Sequence, residues 1–85
     1  MHLKVLYFAQ LRERFGLAEE ALSVPESVVT VADLIDHLGT RGGVWLETFA
    51  SGAAFRVAMN QEMVALDATL TDGAEVALFR PVTGG

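Results

Sequence analysis

The stretch from Thr30 to Leu38 limits the fold more than any other part of the chain. Val31, Leu34, Ile35 and Leu38 fall at i, i+3, i+4 and i+7, which is the apolar face of an amphipathic α-helix. Thr30 stands where an N-cap belongs, and Asp33, three residues on, sets a carboxylate against the free amides of the first turn. Gly39 or the Gly42-Gly43 pair predicts a left-handed close. A helix with one apolar face must be covered, and the flanking segments read mostly as strands.

Leu3 to Phe8 is rich in β-branched and aromatic types and predicts a first strand. Ala9 to Phe15 predicts a short helix, with Phe8, Leu11 and Phe15 near helical spacing and Gly16 ending the turn. Glu20 to Val24 predicts a second strand that Pro25 terminates. Beyond the main helix, Val44 to Ala50 predicts a helical piece with Trp45 and Phe49 on one side, as core. Ala54 to Met59, a turn at Asn60-Gln61, and Glu62 to Leu66 predict a hairpin. Thr71-Asp72-Gly73 predicts a turn before the last strand, Glu75 to Arg80. This order predicts an α+β domain of the β-grasp (ubiquitin-like) type: a mixed sheet of about five strands over one main helix. In that fold the first and last strands pair in parallel at the centre. The expected division is a domain over residues 1–80 and a flexible tail over 81–85 that ends in Gly84-Gly85.

At 85 residues there is room for one domain. A hydrophobic share of 52% excludes a disordered chain. Charges interrupt every apolar run well short of the ~18 residues a spanning helix needs, and no secretory signal pattern is present. The cysteine count is zero, so disulfides, thiolate zinc sites and thiol nucleophiles are excluded. Neither His2 nor His37 lies in a metal-ligand spacing, and His2 sits near a terminus where fraying is expected. Eleven acidic against six basic residues give a net charge of −5, and the six cations are scattered. That argues against nucleic-acid binding, which needs a clustered basic stripe. The expectation is a soluble cytoplasmic protein with no membrane partner.

A search for side-chain chemistry finds little. There is no phosphate-binding glycine loop, no nucleophile–base set and no poised acid pair. Asp33 and Asp36 read as helix capping and surface groups, and His37 as one polar position on the same helix. What stands out is Gly84-Gly85 after a short Pro81-Val82-Thr83 spacer. Average glycine usage of about 7% puts two glycines there by chance in roughly 0.5% of chains. Without Cβ atoms they form a thin thread that enters a channel closed to other residues. Its reactive group is the Gly85 carboxylate. A carboxylate attacks the α-phosphate of ATP to give an acyl-adenylate, and a sulfur nucleophile then displaces AMP to leave a thiocarboxylate. Gly42-Gly43, by contrast, follows a helix and reads as a cap or loop.

The chain resembles the small, sulfur-carrying subunits of molybdopterin synthase along essentially its whole length. Val5 to Glu13 (VLYFAQLRE) is similar to that family's VLFFAxxRE opening, and Val57 to Gln61 (VAMNQ) to its AVNQ segment. Leu70 to Gly85 (LTDGAEVALFRPVTGG) is similar to its LxDGDEVAFFPPVxGG ending, the most specific of the three. Arg80 departs from the pattern, standing where the family usually has the first of two prolines. The resemblance implies adenylation of Gly85 by an E1-like enzyme using ATP, with no cofactor or metal bound by this chain. It further implies a thiocarboxylate, insertion of the tail into the large synthase subunit within a heterotetramer, and sulfur transfer to cyclic pyranopterin monophosphate. Gly84 and Gly85 would carry the chemistry, and Arg80, Pro81, Val82 and Thr83 would lie in the partner interface.

Strand alternation adds to that interface. Leu3, Val5 and Tyr7 share one side of the first strand, and Lys4, Leu6 and Phe8 the other. Assigning Val5, Val76 and Leu78 to the helix side leaves Phe8 and Phe79 outside, joined by Met63 from the hairpin. An uncovered aromatic patch on so small a domain predicts a docking surface. Other readings are a β-grasp carrier for thiamin thiazole synthesis, a ubiquitin-like modifier, or a plain interaction module. Thiazole carriers share the Gly-Gly end but are usually shorter and lack the DGxEVAxF–P–V–GG combination.

Overall fold

The two strands furthest apart in sequence lie side by side. In a computed structural model that describes residues 1–50 and 55–80, β1 (His2–Tyr7) runs parallel to β5 (Glu75–Phe79). Val5 is level with Val76, and Tyr7 with Leu78. β2 (Glu19–Ser23) adds antiparallel to the free side of β1. β3 (Arg56–Met59) adds antiparallel to β5, and β4 (Glu62–Val64) adds to β3. The five-stranded mixed sheet therefore has the order β2-β1-β5-β3-β4, with β5 at its centre. This is the expected α+β, β-grasp arrangement.

The alternation predicted for the strands holds. Val5, Val57, Val76 and Leu78 are fully buried, with Leu3 and Tyr7 nearly so, and all join one core with Leu34 and Leu38. Those two leucines belong to α2 (Val31–Gly39), whose apolar stripe covers the inner face of the sheet. Thr30 caps α2 as predicted: its hydroxyl accepts the Asp33 amide at 3.2 Å, while Asp33 Oδ2 accepts the Thr30 amide at 3.0 Å. The first helix, α1 (Gln10–Phe15), ends on Gly16 at φ 64°, a left-handed turn that glycine adopts without steric cost.

Several boundaries differ from expectation. Gly39 is the last residue of α2 rather than its left-handed cap, and Thr40 follows in a right-handed conformation. The positive φ angles come at Gly42 and Gly43, which turn the chain into α3 (Gly43–Ala50). β4 stops at Val64 because Ala65 to Ala68 forms a turn and the Leu66 carbonyl accepts the Ala32 amide of α2. The predicted start of β3 at Ala54 lies outside the described residues. His2 is not frayed: its amide donates to Asp72 Oδ1 at 2.7 Å and its carbonyl accepts the Gly73 amide at 2.7 Å.

Candidate functional site

The outer face of the sheet, opposite the helices, collects the residues predicted for docking. Registers place Leu6, Ala77, Ala58 and Met63 in one row across β1, β5, β3 and β4. The next row toward the end of β5 holds Phe79 opposite Arg56, with Phe8 following Tyr7 on the adjoining strand. Phe8 is 46% exposed and Met63 55% exposed, while Phe79 and Arg80 are half-buried. The short helix after Phe8 therefore does not cover it. The Phe8 amide reaches back to the Leu78 carbonyl at 3.3 Å, which pins that residue beside β5. Phe8, Met63 and Phe79 thus share one face, and Arg80 follows where β5 ends. Pro81, Val82, Thr83, Gly84 and Gly85 lie outside the described residues.

Backbone geometry holds Phe8 in place. The Leu11 amide bonds the Phe8 carbonyl at 3.1 Å, closing a turn whose second residue, Ala9, has φ 48° and ψ −116°. That region is open to glycine and costs an alanine about 1–3 kcal/mol. At the hairpin, Asn60 and Gln61 both have positive φ, as a type I′ turn requires. Asn60 also pairs with the start of β5. Its amide donates to the Glu75 carbonyl at 2.8 Å, and its Oδ1 accepts the Glu75 amide at 3.0 Å.

Behind the sheet lies a polar and aromatic assembly that sequence reasoning missed. Arg41 Nη1 and Nη2 donate to the two oxygens of Glu20, each at 2.8 Å, and the Tyr7 hydroxyl donates to Glu20 Oε2 at 2.7 Å. The Arg41 guanidinium lies 4.4 Å from the centre of the Trp45 ring, which stacks on Phe15 at 3.7 Å. The Arg41 bond is the largest influence on Glu20 and holds its carboxyl below the ordinary 4.5. Burial, reinforced by Glu20, pushes the Tyr7 phenol up. Neither shift creates an acid or base working near neutrality. The assembly ties β1, β2, α1 and α3 together, and Trp45 and Phe49 pack in it as predicted. Clustered Phe15, Trp45 and Phe49 were a readable signal, but pairing Glu20 with Arg41 needed the tertiary fold.

Among the described residues there is no cluster of three or more His, Cys, Asp and Glu side chains fit to hold a metal. No helix among them is long and apolar enough to cross a membrane. A shallow groove of about 310 Å³ runs between α2 and α3, lined mainly by Ile35, Leu46 and Phe49. Asp36 and Thr40 are its polar side chains, too few to orient a reacting substrate. Among the described residues the outer face of the sheet thus exposes Phe8 and Met63 beside the half-buried Phe79, at the end of β5.

Comparison with known proteins agrees with this geometry. The model of the ThiS family matches residues 5–85. The chain is 42% identical over 83 residues to the molybdopterin synthase sulfur carrier subunit of Escherichia coli (strain K12), covering 98% of this chain and 99% of that protein. It is 36% identical, with the same coverage, to the molybdopterin synthase sulfur carrier subunit of Haemophilus influenzae. A solved structure from Pyrococcus furiosus, described as a molybdopterin converting factor subunit 1, superposes with a TM-score of 0.78 at 32% identity. That match covers 96% of this chain and 99% of the other. The chain is a member of the ThiS family.

Proposed function

We propose that this chain is the sulfur-carrier subunit of molybdopterin synthase. The observation that carries the reading is the end-to-end similarity, at 42% identity, to a sulfur carrier subunit of that synthase. The carrier chemistry belongs to Gly85. Its carboxylate attacks the α-phosphorus of ATP on an E1-like enzyme, releasing pyrophosphate and leaving an acyl-adenylate. A sulfur donor then displaces AMP, and the terminal group becomes a thiocarboxylate. The large subunit takes up the tail, and the sulfur passes to cyclic pyranopterin monophosphate to build the dithiolene.

The folded part of the chain presents the tail and contributes the docking face of Phe8, Met63, Phe79 and Arg80. It holds no cofactor of its own, and ATP belongs to the activating enzyme. The spacer Pro81-Val82-Thr83 lies in the partner's channel, and Gly84 fits it because it lacks a Cβ. Intact mass spectrometry tests the reading directly. After incubation with ATP, the adenylating enzyme and a sulfur donor, one oxygen at the C-terminus should be exchanged for sulfur. An unchanged mass, with the adenylating enzyme shown active on another carrier, overturns it.

A further inference from the structure

The chain carries net charge −5, yet two arginines without an acidic partner among the described residues, Arg56 and Arg80, stand beside Phe79 at the end of β5. Lys4 pairs with Glu19, Arg41 with Glu20, and Arg14 donates to Thr48. Arg12, Arg56 and Arg80 have no acidic partner among the described residues. Arg56 opens β3 directly across from Phe79, and Arg80 is the next residue after Phe79. Alternation puts Arg56 on the outer face, since Val57 beside it is fully buried. Arg12 lies on α1, two residues into the helix that begins just beyond Phe8.

We infer that Arg56 and Arg80 form a cationic rim at the root of the tail that selects an acidic rim around the large subunit's tail channel. This rests on the carrier reading above. Two considerations support it. Arg56 and Arg80 flank Phe79, and an aromatic anchor ringed by charge is the usual anatomy of a specific interface. A chain otherwise acidic repels an acidic partner everywhere but at this end, so the charge pattern orients docking before the tail enters.

The test pairs full-length variants with the large subunit from the same organism. Wild type is first shown to load sulfur by intact mass and to bind the large subunit. Arg56→Glu and Arg80→Glu should each weaken that binding by about tenfold at low salt, with the loss shrinking toward 1 M salt, where screening is within ~3 Å. Asp36→Lys, on the helical side, should change it by less than about twofold, since a distant surface charge is largely screened. Circular dichroism and melting should stay close to wild type, because Arg56 is exposed and Arg80 is only half-buried. If wild type loads and binds while both reversals bind equally well at every salt concentration, the rim is overturned and the carrier reading stands. If wild type neither loads nor binds, the carrier reading itself fails and takes the rim with it.

Discussion

The Tyr7 hydroxyl and the Glu20 carboxylate meet at 2.7 Å across two paired strands, and Arg41 closes on the same carboxylate from the loop after α2. The residues are separated by 13 and 21 positions in sequence, so the cluster exists only when β1, β2 and the helical layer are assembled. Removing one member leaves the others with unmet demands. Arg41→Ala strips Glu20 of two charge-assisted bonds and uncovers the Trp45 ring. Because the pair is partly exposed to water, the expected loss is about 2 kcal/mol rather than the larger value of a sealed pair. Tyr7→Phe, which leaves the ion pair intact, should cost about 1 kcal/mol. Urea unfolding of both variants checks the ranking.

Acid should weaken the fold through three carboxylates held below their ordinary values. Glu20 is lowered first by Arg41, Asp33 by the Thr30 and Val29 amides, and Asp72 by the His2 amide. A depressed carboxyl stabilises the fold above its ordinary value, 4.5 for Glu20 and 3.8 for the aspartates, and that contribution vanishes as pH falls through the lower folded value. The urea midpoint should therefore hold steady down to about pH 4.5 and then fall. Glu20→Gln should start lower at neutral pH and fall less steeply. Parallel curves for the two proteins would remove Glu20 from this account.

Ala9 offers the opposite sign. Glycine relieves its φ of 48° and loses only part of the gain to the greater freedom of the unfolded chain. Ala9→Gly should raise stability by about 1 kcal/mol, seen as a higher melting temperature.

Phe79→Ala should weaken large-subunit binding by ~2 kcal/mol, as removal of a half-buried interface anchor does, with a smaller loss of fold stability. Titration calorimetry and melting of the same preparation separate the two effects. A collapsed fold with binding retained would place Phe79 in the core.

Gly84→Val should leave melting unchanged and block sulfur loading at Gly85. A chain lengthened by one residue after Gly85 should behave in the same way, because its reactive carboxylate moves away. Full loading of either protein, read by intact mass, would count against a narrow channel.

Much of this architecture was legible because its causes are local. The Thr30 capping box, the stripe of Val31, Leu34 and Leu38, and the alternation of Val5 and Tyr7 depend on neighbours a few residues away. Asn60-Gln61 announced a turn for the same reason. What escaped were contacts made by folding itself. Nothing near Glu20 names Arg41, and nothing near His2 names Asp72. The end of β4 depended on a carbonyl recruited by α2, and the left-handed Ala9 broke the preference of its residue type. The grouping of Phe8 and Phe79 on the outer face was readable from periodicity, whereas Arg56 and Phe79 became neighbours only once β3 was registered against β5.

The central position of β5 has a consequence for when the chain becomes competent. Residues 75–79 are made after every other strand, yet β1 and β3 both depend on them for their inner edges. A ribosome still holding this stretch holds a sheet in two unjoined halves, β1 with β2 and β3 with β4. Completion of the platform thus waits on the last of these five strands to be made. Under the carrier reading proposed above, an activating enzyme that requires the completed outer face would pass over unfinished or misfolded copies, and ATP would be spent only on finished chains.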